Sequence, residues 1–273
     1  MTGGPPGAPV PPMVDDLGGL FRPARGVRRV VSLVPSLTEA IARTVPGLLV
    51  GATDWCVQPP GLGVVRVGGT KNPDVRKVVG LAPDLVVANF EENREADLDA
   101  LRAAGVPVWV TVIRTIPEAL TSLQRMLAAC GQDTPAWLAE ARTVWADVLR
   151  EPPPAGVAAV VPIWRRPWMV LGRDTFAGDV LARLGVANVY AHADERYPKV
   201  SVDEMLRRRP GLVVLPDEPY AFSAVDGPET FPGLLVALVS GRHLEWYGPS
   251  LTEARRVLSA SLPAPGPASS RWP

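Results

Sequence analysis

The sequence predicts an α/β fold made of two similar α/β lobes, each with a central sheet, joined by one long backbone helix. Three observations predict it. Apolar strands and amphipathic helices alternate through both halves of the chain. One helix–Pro–strand unit is written twice, as NPDVRKVVGLAPDLVVANF (Asn72 to Phe90) and as KVSVDEMLRRRPGLVVLP (Lys199 to Pro216), with its prolines 127 positions apart (210 minus 83). Between the halves stands a lone helical stretch, TPAWLAEARTVWADVLRE, with PPPAG behind it. Units ending in PDLVV recur by chance in α/β proteins; the lone helix between proline breaks favours a true repeat.

The elements follow in order. Residues 1–26 are rich in Pro and Gly and are expected to be disordered. VRRVVSLVP is a strand whose consecutive apolar residues suit a sheet covered on both faces. SLTEAIARTVPG is a helix, with Ser36 and Glu39 at capping-box spacing and a stop near Pro46 and Gly47. LLVGATDW is the next strand, followed by the first repeated unit. NREADLDALRAAG is a helix capped by Asn93, VPVWVTVI a strand, and IPEALTSLQRMLAACG a helix ending at Gly131.

The connecting helix has Thr134 as cap and Pro135 in its first turn, with Trp137, Leu138, Ala141, Val144, Trp145, Val148 and Leu149 at helical spacing. Alternation then restarts with strands VAAVVPIW and WMVLG, helices TFAGDVLARLG and SVDEMLRRR, strand LVVLP and a helix near PSLTEARRVLSA. The domains expected are thus a tail over 1–26, a lobe over 27–133, the helix over 134–151, a second lobe over 152–262 and a loose tail over 263–273.

Composition bounds the function. Among 273 residues, 47% are hydrophobic and 21% charged, so a real core is expected. Lys plus Arg equals Asp plus Glu, 28 each, which excludes a general nucleic-acid binder, since that needs a basic surplus. Cys56 and Cys130 lack CxxC spacing and read as buried thiols or one disulfide; no structural zinc site is seen. The first residues carry no signal-peptide pattern and no lipid-anchor cysteine, and nothing reaches a membrane span, so a cytoplasmic protein is expected. HExxH, a P-loop and GxSxG are all absent, and GGTKN is too short for a phosphate loop, so no enzyme is expected.

RVVSLVPSLTEAI, LLVGATDWCVQPP, RVGGTKNPDVRKVVGLAPDLVVAN and LRAAGVPVWV together resemble the first lobe of the helical-backbone metal receptors, the class III substrate-binding proteins for cobalamin, siderophores and haem. The likeness covers most of residues 27–130. GDVLARLGVANVYA, RYPKVSVDEML and RPGLVVLP resemble the cobalamin-binding branch more loosely. The resemblance implies two lobes joined by one long helix, and a ligand cleft between them lined by loops at strand ends. Those loops fall here on Ser36, on Asp54 and Trp55, on Thr70 within Gly69 to Asn72, and on Asn89 and Phe90. From the second half come Trp164, Arg165 and Trp168, then Tyr197, Tyr220, Trp246 and Tyr247.

Corrinoids and haem are broad apolar planes with polar rims, so flat aromatic walls suit them. Aromatic residues make up 6% of the chain, yet Trp55, Trp164, Trp168, Tyr197, Tyr220, Trp246 and Tyr247 fall in these stretches. Any one of them could instead be core. Arg165 and Arg166 suit carboxylate, phosphate or catecholate oxygens, or else form a solvated hairpin edge. His243 is the better axial-ligand candidate of the two histidines; His192, in HADE, is weaker, and loop histidines are more often plain surface residues.

Transport members of this family present a glutamate to their permease on the first repeated helix; here that position is Arg76, followed by Lys77. A base there opposes docking, although Asp203 or Glu204 keeps acidity in the second copy. The reading is a monomeric, cytoplasmic binder of a corrinoid or related metal chelate, with no tightly held cofactor and no nucleic-acid partner. Two alternatives stand: a ferric-siderophore or haem receptor of an ABC import system, and a corrinoid-modifying enzyme with Asp54 and Glu218 as acid–base pair.

Overall fold

The computed structural model describes residues 12–22, 26–154 and 156–263. Of the tails expected over 1–26 and 263–273, residues 1–11, 23–25 and 264–273 lie outside the described residues. The chain divides into two compact units: one takes the described residues up to Val112 with Leu120–Leu138, the other Ile113–Ala119 with the described residues from Ala139 on.

The first unit departs from expectation at its start. Residues 13–21 are ordered: β1 (Met13–Val14) pairs antiparallel with β2 (Leu20–Phe21). Two carboxylates fasten this hairpin. Asp15 accepts from the Val110 amide at 3.0 Å and Asp16 from the Val112 amide at 2.9 Å, while Arg125 donates to Asp16 at 3.0 Å. Phe21 packs edge-on against Trp109. Composition missed it because two aspartates among glycines and prolines hold position through distant partners.

Then come β3 (Val30–Ser32), α1 (Pro35–Thr44), β4 (Leu49–Ala52), β5 (Val65–Arg66), β6 (Gly68–Gly69), β7 (Asn72–Pro73), α2 (Val75–Gly80), β8 (Leu85–Asn89), α3 (Glu95–Ala103) and β9 (Val108–Thr111). Five strands form one parallel sheet in the order β5-β4-β3-β8-β9. Its core is the consecutive apolar set the sequence marked, including Val31, Leu33, Val86, Ala88 and Val110, closed by Leu98 and Leu101 of α3.

Caps differ from expectation. Pro35 takes the first position of α1, so Val34 is the cap and Ser36 lies inside the helix. Arg94, not Asn93, precedes α3. The chain continues through α4 (Ile116–Ala129) and α5 (Ala136–Arg150), the latter beginning two residues after Thr134. At 1.5 Å per residue α5 spans about 22 Å, with Leu138, Ala141, Trp145 and Val148 buried along one stripe.

The second unit runs β10 (Val157–Val160), β11 (Pro162–Trp164), β12 (Met169–Val170), α6 (Phe176–Arg183), β13 (Val186–Asn188), α7 (Val202–Arg207), β14 (Leu212–Pro216), β15 (Leu235–Val239), α8 (Gly241–Glu245) and α9 (Leu251–Ser261). Its parallel sheet has the order β13-β10-β14-β15, and β11 and β12 make a separate antiparallel hairpin. Val160, Val213, Leu215, Met205, Phe222 and Phe231 form its core. Three elements had no sequence counterpart, the three-residue β13 among them. β15 alternates exposed and covered residues on an edge, and α8 is too short for a helical period to show.

Candidate functional site

Both sheets are doubly wound. In the first, β3 lies between β4 and β8, so successive connections leave it in opposite directions; in the second, β10 lies likewise between β13 and β14. Loops diverge at the carboxyl ends of such strand pairs and leave a crevice where ligands bind. Each unit therefore has one expected binding surface, and each carries exposed aromatics there.

In the first unit the surface is set by Asn89 and Asn93. Asn89 ends β8, donates to the Thr111 carbonyl and hydroxyl, both at 3.1 Å, and accepts from the Glu91 amide at 2.9 Å. Asn93 accepts from the Asn89 amide at 2.9 Å and donates to the carbonyls of Thr70 at 2.9 Å and Leu33 at 3.3 Å. One side chain thus ties together the loops after β3, between β6 and β7, and after β8. Lys71 adds a hydrogen bond to the Glu91 carbonyl. Phe90 is left 51% exposed.

Trp55, 68% exposed, stands on a loop that Arg66 grips on both sides, donating to the Thr53 and Cys56 carbonyls at 2.8 Å each. Cys56 beneath it is fully buried and accepts from the Thr38 hydroxyl at 2.9 Å; burial pushes its thiol up. Cys130 is also a free, buried thiol, pushed up to about 12 by burial, so neither is poised to react. Asp54 is exposed beside Trp55, whereas Ser36, Thr70 and Asn89 are buried. Asn89 in particular has its hydrogen bonds satisfied within the fold.

In the second unit the surface grows from the β11–β12 hairpin. Trp164, 41% exposed, meets Tyr220 edge-on at 5.7 Å, and Tyr220 donates its hydroxyl to Asp226 at 2.7 Å. Trp168 stacks on Phe222 at 5.9 Å. Arg165 lies over the Trp168 ring, 5.3 Å from its centroid, and pairs with Asp226 and with Glu229, the latter at 2.7 Å. The Tyr220 hydroxyl, then Arg165, hold the Asp226 carboxyl below its usual range; the Gly227 amide does so first for Glu229, then Arg165. Arg165 is therefore not an open clamp for an anion, as one sequence reading had it. Arg166 is exposed.

The remaining candidates separate. Tyr197 is exposed, with the Arg196 guanidinium 6.0 Å from its ring. Trp246 is half-buried under Arg242 at 5.9 Å. Tyr247 is buried edge-on against Phe176, as a core residue. His243 sits on α8 rather than in a loop, and both ring nitrogens have neighbours: Nδ1 lies 2.8 Å from the Ser240 hydroxyl and Nε2 3.3 Å from Glu253. Nδ1 is thus engaged by Ser240, whereas Nε2 lies close to Glu253 but is buried without a hydrogen bond. Asp54 belongs to the first unit and Glu218 to the second.

A cavity of about 700 Å³ lies wholly in the second unit, lined by Arg114, Asp174, Asp179, Arg183, Asn188 and His192 among others. It shares no residue with the aromatic surface. Its charged groups are largely engaged: Asp179 accepts from the Ile116 amide at 2.9 Å and pairs with Arg183 at 3.2 Å. Among the described residues no group of three or more His, Cys, Asp or Glu could hold a metal ion, and no helix is long and apolar enough to cross a membrane.

Residues 30–219 match the periplasmic binding protein family. A vitamin B12-binding protein of Pectobacterium carotovorum is 24% identical over 257 residues, covering 89% of this chain and 91% of its own. Among solved structures, the periplasmic vitamin B12 binding protein BtuF of Vibrio cholerae superposes with a TM-score of 0.71 at 20% identity, over 86% of this chain and 96% of that one. The periplasmic haem-binding protein RhuT of Roseiflexus gives 0.72 at 21% identity, over 86% and 98%. These structures share the two-lobed α/β fold, and the relatives are named as binding proteins rather than enzymes. The motifs, the two doubly wound sheets and the match over residues 30–219 make one case: this chain belongs to the periplasmic binding protein family, as its resemblance to the helical-backbone metal receptors implies.

Proposed function

We propose that the protein binds a planar metal chelate, and that the chelate is a corrinoid of the cobalamin type. The observation that carries this is the placing of exposed aromatic side chains, Trp55 and Phe90 in one unit and Trp164 in the other, at the strand ends where doubly wound sheets take ligands. Apolar rings on fixed loops suit the broad face of a macrocycle. The vitamin B12-binding relatives, matched over most of their length, favour the corrinoid. The chelate brings its own metal, so the chain need supply none. An anionic siderophore is less well supported, because Arg165 is already paired.

Calorimetric titration of the full chain with cyanocobalamin tests the reading. Saturable one-to-one binding at micromolar affinity or better is expected. Absence of heat, together with tight haem binding, would replace the corrinoid by haem.

The role proposed is retention or delivery of the ligand by a cytoplasmic monomer rather than uptake through a permease. In its support, Arg76 and Lys77 are both exposed on α2, where transport members present an acid. Fractionation of the native host that placed the protein outside the cytoplasm would sink this part alone.

A further inference from the structure

We infer that Asp226 and Glu229 act as specificity determinants, cancelling the charge of the Arg165–Arg166 hairpin so that the second unit's aromatic surface discriminates against anionic chelates. The inference rests on the proposed reading of that surface as ligand-facing. Two adjacent arginines beside exposed tryptophan are the ordinary means of gripping carboxylate or catecholate oxygens, since a guanidinium fork matches paired oxygens. Here the fork of Arg165 is filled from within the chain by Asp226 and Glu229, and the Arg165 side chain keeps only 17% of its exposure.

The two acids are held independently of Arg165. Asp226 also accepts the Tyr220 hydroxyl at 2.7 Å, and Glu229 also accepts the Gly227 amide at 2.6 Å. They are thus fixed where they balance two cations with two anions. The same contacts place the rings: Tyr220 is tethered to Asp226, and Trp164 packs on Tyr220. Neutralisation and aromatic presentation are one assembly. An uncharged macrocycle face loses nothing there. A polyanionic chelate finds no open Arg165 fork and no net positive charge to repay the loss of its hydration, so it gains nothing from the hairpin.

The test compares the full-chain protein with Glu229→Gln and with Asp226→Asn/Glu229→Gln. The probes are cyanocobalamin and a ferric tris-catecholate, titrated at low and high salt. The quantity read is the ratio of the two affinities. Freeing Arg165 is expected to shift it toward the tris-catecholate by about tenfold in Glu229→Gln and further in the double variant, with the shift shrinking at high salt, where exposed charges are screened. An unchanged ratio, or a loss of both ligands in parallel, would overturn the inference and leave the ion pairs as scaffold. Should the double variant fail to fold, Glu229→Gln decides alone. Should the native protein bind no cobalamin, the proposed function fails, whereas the tris-catecholate affinity of variant against native protein still tests the charge cancellation.

Discussion

Ala82 and Arg209 hold the same backbone conformation at the same place in the two units: each has positive φ, 46° and 50°, and each is followed by the proline that parts a helix from a strand. They stand 127 positions apart (209 minus 82), and so do the capping residues Asp74 and Ser201 and the buried Val78 and Met205. Both caps accept from the amide three residues on, at 3.0 Å and 3.2 Å. A left-handed conformation costs an L-residue about 1 kcal/mol, part of which glycine returns as unfolded-state entropy. Ala82→Gly and Arg209→Gly, both at exposed positions, are each expected to stabilise by about 0.5 kcal/mol, a rise in Tm of about 1–2 °C by calorimetry.

Trp55 and Asn89 should respond oppositely to truncation. Trp55→Ala and Phe90→Ala remove exposed rings, so unfolding free energies from denaturant titration should move by no more than about 0.5 kcal/mol while cobalamin affinity falls by about tenfold or more. Asn89→Ala leaves the Glu91 amide and the Thr111 groups without their partner, and should destabilise by about 1–3 kcal/mol. Equal stability losses in all three would show that Trp55 and Phe90 are packing residues.

Glu218 gives a pH dependence of definite sign. Burial, and then Asp217, hold its carboxyl above the usual 4.5. The folded state therefore binds this proton more tightly than the unfolded one, and stability falls as pH rises from 4.5 through the raised value. Glu218→Gln stays neutral throughout. Urea midpoints measured across that window should fall less steeply for the variant, which should be the more stable protein at pH 7.

Trp145 anchors α5 to α9 within the second unit. It is fully buried, and its indole donates to the Leu251 carbonyl at 3.0 Å. Trp145→Phe keeps most of the ring but orphans that carbonyl, a loss of about 1–3 kcal/mol. Trp145→Ala adds a cavity and should cost about 3–5 kcal/mol. Chemical denaturation distinguishes the two; near-equal losses would mean that the hydrogen bond, not the ring, matters.

Much of the frame was legible because its causes are local. Consecutive apolar runs marked β3, β8, β10 and β14, and helical spacing marked α4, α5 and α9. The N-terminal hairpin was not legible, since Asp15 and Asp16 find their partners 95 and 96 positions away. Of the candidate site residues, Trp55, Phe90 and Trp164 stand exposed. Asn93 was read as a helix cap, and nothing local signals that its amide joins three loops.

The sequence by itself determined the repeated helix–Pro–strand unit, the two α/β lobes with central sheets and, through its motifs, the family, because spacing, proline placement and hydrophobic period act over a few residues. Only the tertiary structure decided which polar groups remain open to a ligand. Arg165 looks like a clamp in the sequence and is a filled ion pair in the fold, because its partner Asp226 lies 61 positions on and is brought beside it by the loop after β14. His243 looks like an open loop ligand and is largely buried on α8, with Nδ1 held by Ser240 and Nε2 beside Glu253 of α9. Availability depends on which distant neighbours arrive, and those are set by packing rather than by order along the chain.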